Sequence, residues 1–404
     1  MDVAIIGGGA AGYFSAISIK ENFPDATVVI FEKTRHPLAK VRISGGGRCN
    51  VTNGNTSISE LAKAYPRGKA LMKQALRVFN TKHTMEWFES RGVPLFTQDD
   101  MRVFPVSQDS SSIVDCLLDQ AEDLGIVCEF WSGIERISKI SNQLELHFTR
   151  QDLPPRNFDK VIIASGGSPR PEGLKWLEKL GHETVEPVPS LFTFNMPNES
   201  IVELTGVAVN PVLVSIPGTT LKTRGPLLIT HWGLSGPVIL KLSAFGARIF
   251  NEKDYNFELL VNWVDQTNHE LVLDQLNATI TGHSRKLLPN IRPFGLPDRL
   301  WRYLIQKSEL SLTKQWGELG NRGMNKLASV LTNDMYSVSG KTGFKDEFVT
   351  CGGVNLESID AKTMQSKVCK NLYFAGEILD IDGITGGYNF QAAWTTAYIA
   401  GKLN

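Results

Sequence analysis

The sequence has no C-x-x-C pair, no excess of either charge and no long apolar run, and each absence removes a class of function. Its five cysteines, Cys49, Cys116, Cys128, Cys351 and Cys369, are scattered. That argues against a disulfide framework, a zinc or other metal site and a dithiol redox pair, and for reduced thiols in a cytoplasmic setting. Forty-two Lys and Arg balance forty-two Asp and Glu, so the chain as a whole sets up no field that would draw in nucleic acid or an anionic membrane. No stretch reaches the roughly 18 apolar residues of a membrane span. The opening MDVAIIGGG lacks a basic n-region, so neither a signal nor a transit peptide is expected there. What remains is a globular composition, 42% hydrophobic and 21% charged over 404 residues, long enough for two or three packed units.

The most organised stretch is the first thirty-two residues. Asp2 to Ile6 (DVAII) is a short apolar run, Gly7-Gly8-Gly9-Ala10-Ala11-Gly12 fits G-x-G-x-x-G, and Thr27 to Phe31 (TVVIF) is a second apolar run ending at Glu32. Strand, glycine turn, helix, strand and acid stand in the order of a dinucleotide-binding βαβ unit. Gly7 permits a sharp exit from the strand, Gly9 leaves the backbone bare for a pyrophosphate, and Gly12 brings the helix close to the sheet. The diphosphate is expected at the helix N-terminus near Ala10 and Ala11, where free N–H groups and the dipole favour negative charge. Glu32, followed by Lys33, comes twenty positions after Gly12, the separation that sets a carboxylate on the ribose hydroxyls. The motif alone does not separate FAD from NAD.

After Glu32 comes Lys40 and then Ser44-Gly45-Gly46-Gly47-Arg48-Cys49-Asn50-Val51-Thr52-Asn53. Three glycines followed directly by Arg, Cys and Asn read as a loop that packs on a flat ligand and donates hydrogen bonds to it. This stretch resembles the signature of the BaiN/RdsA family of NAD(P)/FAD-dependent oxidoreductases, some of whose members are labelled aminoacetone oxidase. This chain has Leu38-Ala39-Lys40 where most relatives carry Gly-Arg-Lys.

Residues 68–90 carry one long helical pattern, and 94–97 and 101–105 read as the arms of a hairpin. Residues 110–124 read as an amphipathic helix capped by Ser110. The run 126–130 is expected as the next parallel strand, with antiparallel segments at 134–138, 144–149 and 158–164 feeding back into the sheet. The resemblance implies that the backbone at Gly133 and Ile134 touches the adenine. Ser165-Gly166-Gly167-Ser168-Pro169 is either a second phosphate loop or a turn over the FAD, and Pro169 speaks for the turn. From about 188 the pattern becomes short β-like segments, and from 265 helical and more polar. Val349 to Val354 and Asn371 to Glu377 then return to the first domain. An α/β fold follows: an FAD-type Rossmann domain with an inserted β-barrel-like unit and a small helical lobe. Its boundaries are 1–187, 188–264 for the insert, 265–340 for the lobe, and 341–404. A sheet that opens at residue 2 and closes near 375 is what an insertion in an FAD fold produces.

The resemblance further implies that Gly376-Glu377 and Asp382 lie along the ribitol and pyrophosphate and that Tyr388 and Asn389 lie near the flavin ring. Gly387, Tyr388 and Asn389 precede a helix whose N–H groups suit the N1/C2=O edge. His231, in Thr230-His231-Trp232-Gly233-Leu234-Ser235-Gly236-Pro237, is either a proton donor or a helix-capping or packing residue. The stretch resembles the family's insert, or is simply a helix start with Ser235 capping and Pro237 in the first turn. Arg48 orients either an anionic substrate or the flavin O2, and Cys49 is a reactive thiol only if its pKa is lowered.

The expected reaction moves hydride between a nicotinamide cofactor, NAD(P)H, and an unsaturated or carbonyl-conjugated small molecule. The nicotinamide binds transiently, because no second G-x-G-x-x-G unit exists. Amine oxidation by O₂ and action on tRNA are the alternatives. The second finds little support in the charge: Gly282 to Arg292 is the nearest basic stretch, with four basic residues counting His283.

Overall fold

The computed structural model describes residues 1–341 and 349–404; part of the expected 341–404 segment therefore lies outside the described residues. The chain divides into two compact units, Met1–Pro189 with Val349–Asn404, and Ser190–Phe348.

The first unit is built on a five-stranded sheet in the order Leu372–Phe374, Lys160–Ile163, Asp2–Ile6, Thr27–Phe31 and Val127–Glu129, with every neighbour parallel. Val3, Ala4 and Ile5 are fully buried, which is why the central strand reads as an unbroken apolar run rather than an alternation. The helices Ala10–Asn22 and Tyr388–Ala400 pack on one another and are buried along almost their whole length. Small residues permit this: a Cβ on Gly401 would sit 2.6 Å from the Ser18 side chain. Phe14 of the first helix meets Trp394 of the last at 5.3 Å and Trp87 at 4.6 Å between ring centroids. Ile134–Ile140, Gln143–Phe148 and Arg156–Phe158 form an antiparallel meander that leads directly into Lys160–Ile163.

In the second unit the strand order is Phe194–Asn195, Gly233–Ser235, Lys222–Thr230, Ala208–Ser215, Asn256–Asn262 and Asp334–Ser339. Phe194 bridges Lys341, and the Asn195 amide donates to the Gly340 carbonyl at 3.0 Å, so the six strands close on themselves. The helix Pro237–Glu252 packs on this barrel. His269–His283, Asp298–Lys307 and Gly320–Thr332 form the helical lobe.

Several local expectations change. The single helix expected over 68–90 is two helices, Lys69–Ala75 and Thr81–Glu89. Asn80 starts the second, accepting from the Lys82 and His83 amides while His83 Nδ1 accepts from the Asn80 amide, a reciprocal cap. Ser110 is not the expected cap: its hydroxyl donates to the Arg42 carbonyl at 2.7 Å, and the Asp109 carboxylate takes the Ser111 amide instead. Ser235 lies in a strand, and the helix starts at Pro237 behind Gly236. The stretch 265–340 is not wholly helical, since Asp334–Ser339 completes the barrel. Lys222–Thr230 is hidden in the sequence by Gly225-Pro226; a register irregularity between Val209 and Val212 on its partner strand accommodates it, and Pro226 has no N–H to place in a ladder.

Candidate functional site

Within the first unit, the glycines fall into two kinds. Gly7 (φ +109°) lies so close to the strand beside it that a Cβ would be 2.5 Å from the Ala164 carbonyl, and one on Gly12 would be 1.9 Å from the Gly7 carbonyl. These two set the tight turn and the helix-to-strand approach. A Cβ on Gly9, Gly46, Gly47 or Gly166 would meet nothing within 4 Å. Gly9 is the extended N-cap of the Ala10–Asn22 helix and no side chain caps it. Bare backbone at an uncapped helix N-terminus fits a flat, anionic dinucleotide, so the residues suit FAD.

Hydrogen bonds and packing knit the surrounding loops to that helix end. The Leu38 amide donates to the Gly8 carbonyl at 2.8 Å. Glu32 Oε2 accepts from the Gly8 amide at 2.8 Å while its Oε1 accepts from the Thr34 amide at 2.8 Å. Lys33 packs against Gly133, where a Cβ would lie 3.3 Å from that of Lys33, and Gly133 is tied to Thr149 by a backbone bond of 2.8 Å. Glu32 and Lys33 thus come together with Gly133 and Ile134 from two segments, and Thr149 adds a third. On the opposite flank Lys40 Nζ pairs with Glu377 Oε2 at 2.8 Å, and Glu377 Oε1 accepts from the Thr350 amide at 2.9 Å. Gly376 (φ +77°) packs on Ala11 with room for no side chain, a Cβ there being 2.8 Å from the Ala11 methyl. Its amide donates to the Thr396 hydroxyl at 2.8 Å.

The Ser44–Asn53 loop departs from a plain loop. The chain from Ala39 to Gly47 winds helically but is interrupted at Ser44, Gly45 and Gly46. The Ser44 hydroxyl donates to the Val41 carbonyl. Arg48 folds back over the Phe104 ring at 4.3 Å, and its Nε donates to the Gly45 carbonyl at 3.2 Å. Cys49 is completely buried, and burial pushes its thiol up to about 12 against the weaker opposing hydrogen bond from Ser44. That is the chemistry of an inert packing cysteine. Asn50, its amide nitrogen facing the Val103 and Thr52 carbonyls, accepts from the Gly387 amide at 2.9 Å.

At the C-terminal end the side chains hold the loop that precedes the Tyr388–Ala400 helix. Asp382 is fully buried and forms a double contact with Arg67, whose Nε donates to Oδ1 at 2.5 Å. The Asn389 amide closes on Gly383, accepting from its N–H at 2.8 Å and donating to its carbonyl at 2.9 Å. Tyr388 is half-buried beside Tyr65, and burial raises its phenol. Asn389 therefore acts here on the loop's backbone and Asp382 fastens the loop to Arg67, while Gly387 caps the helix with a left-handed φ of +87°.

Arg67 and a buried polar network around Gln391 carry no local sequence signal. Gln391 Oε1 accepts from Thr52 at 2.5 Å and from Thr84 at 2.9 Å, and its Nε2 donates to Thr395 at 2.9 Å. Thr52 and Thr84 lie more than three hundred positions away, and no local pattern announces them. His231 belongs to the second unit, exposed at the turn between Lys222–Thr230 and Gly233–Ser235 with its ring 3.9 Å from that of Trp232. Among the described residues no group of three or more His, Cys, Asp and Glu could hold a metal ion, and no helix is long and apolar enough to cross a membrane.

Comparison with known proteins gives this geometry a family. A family model described as HI0933-like protein Rossmann domain matches residues 1–403. The chain is 30% identical to a ribosomal RNA dihydrouridine synthase of Escherichia coli, covering 98% of this chain and 96% of that one. It is 25% identical to a 3-dehydro-bile acid delta(4,6)-reductase of Clostridium scindens, covering 99% and 98%. Among solved structures, a 3-ketosteroid delta1-dehydrogenase from Sterolibacterium denitrificans aligns with TM-score 0.54 at 11% identity, over 99% of this chain and 98% of that one, a likeness of fold. The chain belongs to the HI0933-like Rossmann family, the BaiN/RdsA-type flavoproteins, and is an FAD-dependent oxidoreductase.

Proposed function

We propose that the protein reduces a carbon–carbon double bond conjugated to a carbonyl, with NAD(P)H as the electron donor. The observation that carries this reading is the end-to-end match to two relatives with unlike substrates and one shared chemistry. A dihydrouridine synthase saturates the C5=C6 bond of uracil, conjugated to C4=O. A delta(4,6)-reductase saturates double bonds conjugated to a 3-oxo group. Saturating such a bond adds a hydride to its carbon farther from the carbonyl and a proton to its neighbour nearer the carbonyl.

When bound, FAD supplies the two-electron transfer. The chain's own groups hold and orient it. The helix end at Gly9–Ala11 receives the diphosphate, Glu32 and Gly133–Ile134 the adenosine half, and the loop clasped by Arg67, Asp382 and Asn389 sets the backbone before the last helix. Arg48 is proposed to orient an anionic substrate or the flavin O2, and His231 is the candidate proton donor.

The test uses the FAD-loaded protein, reduced without oxygen and mixed separately with a 4-en-3-one steroid, a uridine-containing RNA and a saturated ketone. Recovery of the oxidised flavin absorbance with the conjugated substrates, and not with the ketone, is the expected outcome. Recovery with air alone would sink the reading in favour of an oxidase.

A further inference from the structure

The zero net charge conceals an uneven distribution. Between Gly282 and Lys326 there are nine Lys and Arg against three Asp and Glu, leaving the rest of the chain with 33 against 39. Several of the nine have partners within the protein. Arg302 pairs with Asp298, Lys326 with Glu309 and Lys307 with Asp334. Arg299 donates to the carbonyls of Glu203 and Thr205, and Arg292 to that of Leu296. Arg285, Lys286 and Lys314 make no side-chain hydrogen bond or ion pair among the described residues.

These three are brought together by the fold. The Gly317 amide donates to the Ser284 carbonyl at 2.8 Å, the Trp316 amide to the Lys286 carbonyl at 2.9 Å and the Leu288 amide to the Lys314 carbonyl at 2.9 Å. Leu287 and Gln315 bridge in antiparallel register. The two segments form a ledge seated on the buried Trp301 and Trp316, whose rings stack with centroids 6.2 Å apart. The Trp301 indole N–H donates to the Leu288 carbonyl at 2.9 Å, so the ledge is anchored. Arg285 and Lys286 are exposed and Lys314 half-exposed. Unpaired cations on a fixed backbone are placed at little further conformational cost, and mutual repulsion favours a polyanion over a single small anion.

We propose that this ledge of the helical lobe binds the phosphate backbone of RNA. The partner follows from the reading of the reaction given above, whose conjugated substrates include the uracil ring. No exposed aromatic stands between the cations: the two tryptophans beneath them are fully buried. The ledge therefore lacks a stacking platform for unpaired bases, and its contacts are to phosphates of structured RNA, independent of sequence.

The test is fluorescence anisotropy of a labelled RNA hairpin titrated with the full-length FAD-loaded protein from about 50 to about 200 mM KCl, the range over which phosphate contacts are titrated by salt. The wild type is expected to bind with a steep salt dependence. The triple variant Arg285→Ala, Lys286→Ala, Lys314→Ala should lose about two to three from the slope of log K against log salt, since each phosphate contact contributes ~0.7–0.9. Arg302→Ala, whose cation is already paired, should leave the slope unchanged. An unaltered slope in the triple variant, or tighter binding to phosphatidylserine vesicles than to RNA, overturns the assignment. Flavin reoxidation by the steroid enone is measured alongside and should match between the wild type and the triple variant. If it fails in both while the ledge binds RNA, the fault lies with the proposed reaction and not with the ledge.

Discussion

Among the described residues each unit buries one carboxylate against a cation, and the two pairs do different work. Asp382, in the nucleotide-binding unit, has a fully buried side chain, and that of its partner Arg67 is only 14% exposed. In the barrel unit Asp334 meets Lys307 at 2.6 Å, but the Lys307 side chain is 28% exposed, and Asp334 also accepts from the Trp263 indole at 2.8 Å and from the Tyr336 hydroxyl. The first pair fastens the loop before the Tyr388–Ala400 helix, the loop proposed to face the flavin. The second ties the last barrel strand to a lobe helix, where three donors share the load. The first is a two-point planar contact, whereas the second is shared among a cation, an indole and a phenol.

Removing the cation in each case exposes that difference. Arg67→Ala leaves Asp382 buried without its main counter-charge and should cost about 3–5 kcal/mol in urea unfolding. Lys307→Ala leaves Asp334 its indole and phenol donors and some access to water, and should cost about 1–3 kcal/mol. Arg67→Ala should also weaken FAD retention on gel filtration, whereas Lys307→Ala should not. Equal losses in stability with no difference in FAD retention would show that the two pairs are interchangeable in kind.

Much of this contrast was closed to a reader of the sequence, for reasons that are physical. The turn at Gly7–Gly12 and the parallel strands around it are local: apolar runs, glycine spacing and an acid within thirty-two residues dictate them. The pairing of Arg67 with Asp382, of Lys40 with Glu377 and of Thr52 with Gln391 is made by chain segments more than three hundred positions apart, and neither propensity nor periodicity reports it. The break at Asn80 was legible, since Asn followed by Thr is a helix-start signal, but the apolar spacing ran through it. The barrel's third strand in spatial order was masked by Gly225-Pro226, because a proline argues against a central strand unless its partner gives way opposite it. The basic ledge was averaged away by the acidic balance of the remaining chain.

The nucleotide-binding unit contains a sharper division of its own, between glycines that pack and glycines that face open space. Gly9 has an extended φ of −93°, and a methyl placed on it would meet nothing within 4 Å, so Gly9→Ala should fold with a stability change below about 1 kcal/mol. That methyl would stand where the diphosphate is proposed to approach the helix end. FAD affinity, read by flavin fluorescence quenching, should therefore fall at least tenfold, while the melting temperature of the FAD-stripped protein stays near that of the wild type. A variant that holds FAD as tightly as the wild type would move the diphosphate away from this turn.

The smallest expected effect concerns His182, a buried group in the same unit that touches no part of the site. Its Nε2 lies 2.7 Å from the Ser366 hydroxyl and its ring packs edge-on to Phe374 at 5.0 Å. Burial lowers its pKa first, and the nearby Lys139 cation lowers it further, against a backbone contact with Leu177 that raises it. A depressed pKa in the folded state means that above the ordinary histidine value near 6.5 the ring is neutral whether the chain is folded or not, and the full stability is present. As the pH falls below that value the unfolded chain takes up a proton that the folded chain resists, so stability falls until the folded-state pKa is passed. Urea midpoints measured from about pH 8 to about pH 5.5, a window that brackets the ordinary histidine value, should therefore decline more steeply for the wild type than for His182→Gln, which cannot titrate. A gap between the two that stays constant across that range would mean the imidazole's contribution is packing and hydrogen bonding alone.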